Sequence, residues 1–168
     1  MDVPDIMKAQ VFYEPEQMTL DEAKPVPEIG PEQVLVKVHA TGICGSDVSY
    51  YFGKASVGTE DPLVLGHEIS GVIARVGEIA AEKGGFEVGD PVVVNPVQSA
   101  PDSPWTKKGL SNVDLSRVTG VTVDGGLAED GLGVLHVVRG VEDGLDALLG
   151  VAQGALRVRV VVGPQDLV

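Results

Sequence analysis

The 168 residues carry 25 acidic and 12 basic side chains, a net charge of −13, so the chain lacks the basic face that a nucleic-acid backbone or an anionic membrane surface requires. Apolar residues at 43% and charged residues at 22% describe a folded globular chain, and no stretch approaches the roughly 20 apolar residues of a membrane span. One cysteine permits no internal disulfide, and the opening MDVPDIMKAQ has neither the basic nor the apolar stretch of a secretory leader, so the expected compartment is the cytoplasm.

In chain order, residues 7–14 (MKAQVFYE) predict a first strand and 27–33 (PEIGPEQ) a turn-rich connection. In 34–44 (VLVKVHATGIC), Val34, Val36 and Val38 alternate with Leu35, Lys37 and His39, the period of a half-buried strand. ISGVIARVG at 69–77 predicts another, and GDPVVVNPV at 89–97 one more, entered through a Gly-Asp-Pro turn. Short valine-rich strands punctuated by glycine and proline predict a mainly β domain, a closed or partly closed barrel with a few short helices. Residues 98–118 begin polar and proline-broken and predict a long excursion loop. TGVTVDGGLAE at 119–129 predicts a hairpin return with Asp-Gly-Gly as its turn. Beyond it, Val141, Leu145, Leu148, Leu149 and Ala152 keep helical spacing, and the run ALRVRVVVGP has the character of a strand.

GICGSD at 42–47 holds the only cysteine, Cys44, which can serve as a buried filler, a nucleophile or a metal ligand. LVLGHE at 63–68 supplies partners, for His67 follows Cys44 by 23 residues and Glu68 is next to it. Thiolate, imidazole and carboxylate together suit a borderline-soft dication such as Zn²⁺, and three protein ligands leave the fourth position open, as catalytic sites do. By spacing alone this is a weak signal. A buried cysteine and a surface His-Glu pair read the same residues without a metal.

Longer stretches carry more. MKAQVFYEPEQMTLDEAKPVPEIGPEQVLVKVHATGICGSDVSYYFG, then EDPLVLGHEISGVIARVGE, FEVGDPVVVNPVQ and GVTVDGGLAE, resemble the zinc-dependent medium-chain dehydrogenases, above all the polyol branch of sorbitol and butanediol dehydrogenases. The resemblance covers residues 7–129 and implies a GroES-like barrel with one catalytic zinc on Cys44, His67 and Glu68. It implies that Ser46 hydrogen-bonds the reacting oxygen and passes on its proton, and that Asp47 orients His67 through its other ring nitrogen. Substrates would be small alcohols, polyols or carbonyls, with NAD(P) as the hydride carrier. His39 and His136 have no such motif around them and read as surface or packing residues.

Three departures from the family pattern qualify these expectations. Ser49 stands where the family usually has a relay histidine, and a hydroxyl can pass a proton but cannot store one near neutral pH. Ala100, Ser103, Thr106 and Asp114 stand where the family's excursion loop has four cysteines around a structural zinc, so no second zinc is expected. No G-x-G-x-x-G turn follows a strand, and the nearest match, GLGVLH at 131–136, lacks the third glycine. The nicotinamide-binding Rossmann half is therefore expected to be missing, either cut off at the C-terminus or, the preferred account, deleted between residues 129 and 137. Residues 137–165 would then be the helix and strand by which family chains return to the barrel, making 1–168 a single domain that is inactive with NAD(P) on its own. Two other functions stay open: a cofactor-independent zinc lyase, isomerase or hydrolase on the same barrel, and a non-catalytic metal- or partner-binding remnant. Homo-oligomer formation is also left open.

Overall fold

The computed structural model describes residues 2–59, 62–98, 102–129, 132–136 and 159–161. Strands β1 (Ile6–Glu14) and β2 (Gln17–Pro25) form an antiparallel hairpin. Two short strands, β4 (Leu63–Val64) and β7 (Ala128–Glu129), also pair with β1. A second sheet runs in the order β8 (Leu132–His136), β3 (Gln33–Gly42), β5 (Glu68–Val76), β6 (Pro91–Val94) and β9 (Arg159–Val161). Every pair in it is antiparallel except β6 with β9. Helices α1 (Gly45–Tyr51) and α2 (Glu78–Gly84) are two turns each. The expected mainly β architecture is what forms.

Strand β3 shows how the pattern builds the core. Val34, Val36 and Val38 share one face and pack with Ile69, Ile73, Phe86, Val92 and Val94. Leu35, on the side that alternation assigns to solvent, is instead fully buried against Met7 and Ala74. The β1 sheet covers that face, so this end of β3 is buried on both sides. A side chain of that size contributes about 1.5–3 kcal/mol on burial. Further along, His39 is exposed and the β3–β5 register shifts between Val38 and Ala40. That bulge resets the ladder so that Gly42 stands opposite Glu68.

Other elements depart from the sequence pattern. Residues 17–25 form β2, whose side chains are mostly exposed; among the described residues it pairs only with β1, and apolar alternation is weak there. Asp124, Gly125 and Gly126 do not make the hairpin turn. The reversal falls at 118–123, where the N–H groups of Val121, Thr122 and Val123 all donate to the Val118 carbonyl. The stretch 132–136 of GLGVLH is strand β8, paired with β3, not the turn of a nucleotide site. The helical pattern at 141–153 lies outside the described residues, and β9 is the described part of the strand-like run that follows. Among the described residues, no helix is long and apolar enough to cross a membrane.

Candidate metal centre

The two motifs meet where β3 runs into α1 and where β4 leads into β5. Cys44 caps α1 in an extended conformation, φ −82° and ψ 157°. Asp47 closes the first turn: its Oδ2 accepts the Cys44 N–H at 2.8 Å, and its own N–H donates to the Cys44 carbonyl at 3.1 Å. A carboxylate at the third helical position is favoured twice, by that bond and by the positive end of the helix dipole. Asp47 thereby fixes the backbone that carries Cys44.

His67 and Glu68 arrive from the opposite side of the β3–β5 ladder. Gly66 turns the chain into β5 at φ +92°, a conformation costly for any residue with a Cβ. Residues 124–127 clamp that turn. The Val64 N–H donates to Asp124 Oδ1 at 2.9 Å, and the N–H groups of Gly125, Gly126 and Leu127 donate to the carbonyls of Val64, Gly66 and Leu65 at 2.7, 2.9 and 3.0 Å. The approach is so close that a Cβ on Gly125 would stand 2.1 Å from the Gly66 oxygen. Asp-Gly-Gly, read from sequence as a turn, is the brace that holds the histidine loop.

The outcome is a convergence of donors. Cys44 Sγ, a ring nitrogen of His67 and a carboxylate oxygen of Glu68 all lie within 4.8 Å of one another. Ligands of one tetrahedral zinc stand about 3.5 Å apart, so small rotamer adjustments would close the set on an ion. His67 Nδ1 faces Asp47 Oδ1 at 3.5 Å, and both are buried atoms with no hydrogen-bond partner. An imidazole protonated at Nδ1 would satisfy Asp47 and leave Nε2, 3.5 Å from Ser46 Oγ, to a metal. By chemistry and spacing the residues fit Zn²⁺. Beside His67 and Glu68 opens a mostly apolar pocket of about 400 Å³, lined also by Ile69, Val93, Val94 and Pro96.

The remaining candidates are placed differently. Ser49 is on α1, but its hydroxyl donates to the Gly45 carbonyl one turn back, at 2.9 Å. Ser103 and Asp114 are buried in the excursion loop. The Asp114 carboxylate accepts bonds from the Ser103 and Ser116 hydroxyls and from the Ser116 N–H, which hold its pKa below the usual carboxylate value. Thr106 begins a short 3₁₀ turn, and its Oγ1 is buried without a partner. Ala100 lies outside the described residues.

Residues 30–132 match the family model of the alcohol dehydrogenase GroES-like domain. Sorbitol dehydrogenase of Bacillus subtilis is 38% identical over 132 residues, which is 76% of this chain and 36% of that protein. D-xylulose reductase of Saccharomyces cerevisiae is 41% identical over 112 residues, 64% of this chain and 30% of that one. An alcohol dehydrogenase of Escherichia coli solved with NADH superposes with a TM-score of 0.66 at 35% identity, covering 79% of this chain and 37% of its own. A thermostable alcohol dehydrogenase of Pyrobaculum aerophilum solved with cobalt and zinc does so at 0.64 and 28% identity, covering 77% and 39%. The chain thus spans about a third of the length of the curated relatives it matches. With its β architecture, its converging donors and these likenesses together, the chain belongs to the alcohol dehydrogenase GroES-like domain family, the catalytic domain of zinc-dependent alcohol and polyol dehydrogenases.

Proposed function

We propose that this chain holds one Zn²⁺ through Cys44 Sγ, His67 Nε2 and the Glu68 carboxylate, and that the enzyme it serves oxidises small alcohols or polyols, or reduces the matching carbonyls. The observation that carries the reading is the convergence of thiol, imidazole and carboxylate within 4.8 Å. Bound there, the ion would supply the Lewis acidity that makes an alcohol proton removable near neutral pH.

The side chains do the rest. Asp47 accepts from Nδ1 of His67, fixing the tautomer and the plane of the ring. Ser46 places a hydroxyl 3.5 Å from His67 Nε2, where it takes the substrate proton and hands it outward. Ser49 lies three positions on along α1, on the same helical face, and carries a proton only in passing. Its hydroxyl must first rotate away from the Gly45 carbonyl. Ile69, Val93 and Val94 would offer the substrate's carbon chain an apolar wall. The hydride acceptor is a nicotinamide dinucleotide, a reading supported by the relative solved with NADH.

Elemental analysis of the purified chain is expected to return one zinc per chain. Cys44→Ala removes the thiolate and should lose most of that metal. Full zinc occupancy in the variant would overturn the assignment.

A further inference from the structure

We infer that Gly42 is a positioning residue for the metal centre: its missing side chain is the space in which the Glu68 carboxylate lies. This rests on the reading of Glu68 as a ligand. Gly42 and Glu68 are direct partners in the β3–β5 register, and directly opposed residues of an antiparallel pair put their Cβ atoms on the same face. A Cβ at position 42 would stand 2.3 Å from Glu68 Oε2, 3.1 Å from its Cβ and 3.3 Å from its Cδ. The first distance is far inside van der Waals contact, so a side chain here would require the carboxylate to move from where it lies.

The backbone does not explain this glycine. Gly42 is absent from the residues with positive φ, so another residue could adopt its conformation. Gly45, on the far side of Cys44, makes the contrast: a Cβ there meets nothing within 4 Å. Of the two glycines that bracket Ile43 and Cys44, only Gly42 would bring a Cβ inside van der Waals contact of a neighbour, and that neighbour is the third donor. The carboxylate is aimed by absence. Gly42 leaves it room on the ladder face, and the bulge after Val38 sets the register that brings the two residues opposite each other.

The test measures Zn²⁺ affinity of the full chain by competition with a chelating dye, for the wild type and for Gly42→Ala, Glu68→Ala, the double variant, Gly45→Ala and Cys44→Ala. Losing the positioning of a metal ligand is expected to weaken zinc by about 10–100-fold or more. Gly42→Ala should match Glu68→Ala, the double variant should be no weaker than either, and Gly45→Ala should bind as the wild type does. Wild-type affinity in Gly42→Ala would overturn the inference, and so would losses that add in the double variant, because the methyl would then act on something other than the carboxylate. Should Gly42→Ala fail to fold, the double variant decides. If the double variant folds, the clash is with the carboxylate; if it also fails, the clash is with the Cβ of residue 68, which the alanine keeps, or with backbone, and the inference falls. Undiminished zinc binding in Cys44→Ala would instead bring down the underlying metal reading, whatever Gly42→Ala does.

Discussion

Glycine beside a ligand can mean three different things in this chain. At 66 it supplies a left-handed φ, at 125 it admits the backbone of the neighbouring turn, and at 45 it meets nothing that excludes a side chain. Gly125→Ala would force a methyl to within 2.1 Å of the Gly66 oxygen. It should destabilise the fold by about 3 kcal/mol, the upper part of the range for overpacked sites. Urea unfolding is expected to show a lower midpoint at an unchanged slope. At Cys44 the expected loss is of metal, not of packing. Zinc at a hundred times its Kd stabilises a folded state that binds it by about 2.7 kcal/mol, so zinc should raise the melting temperature of the wild type and leave Cys44→Ala unmoved. The residue types of the candidate centre are legible in GICGSD and LVLGHE through the family resemblance that these motifs carry, since spacing alone is a weak signal. The roles of Gly42 and of Asp-Gly-Gly were not legible, since they arise from register and close approach between strands far apart in sequence.

Strands announce themselves when two faces have different surroundings, and this chain shows where that signal fades. β1, β3, β5 and β6 bury apolar side chains because each lines a core face. Among the described residues β2 pairs only with β1 and its side chains are mostly exposed, so little burial shapes its sequence. Leu35→Ala should accordingly cost about 2–5 kcal/mol, whereas Leu20→Ala on β2, with Leu20 49% exposed, should stay within about 0.5 kcal/mol. The excursion loop obeys a third rule. Its fold at 102–118 depends on the bonds that Ser103 and Ser116 make to Asp114, and on those between Arg117, Gln98 and Thr119. The Asp114 carboxyl has a lowered pKa, so its stabilising contribution is present at neutral pH and down to the unfolded value of about 3.9. It is lost as pH falls further, through the folded value. Asp114→Asn should therefore speed amide exchange at Trp105 and Ser116 at pH 7, and the difference from the wild type should shrink as pH falls below 4.

At the scale of the whole molecule, charge and missing glycines point the same way. Hydride transfer requires a nicotinamide ring held within about 3–3.5 Å of the reacting carbon. A protein usually secures that by seating the pyrophosphate on a helix N-terminus behind a G-x-G-x-x-G turn. The 168 residues contain no such turn after a strand, and a net charge of −13 repels an anionic dinucleotide. Zinc faces the opposite field: an acidic chain draws a dication toward Cys44, His67 and Glu68. The 168-residue chain alone should therefore load with zinc and still show negligible NAD(P)-dependent oxidation of secondary alcohols and polyols. The measurement pairs a steady-state absorbance assay with calorimetric titration by NAD⁺ and NADP⁺, each run on the zinc-loaded chain. Micromolar dinucleotide affinity together with turnover would mean that this barrel supplies a nucleotide cradle of its own. Zinc loading without either is the expected result.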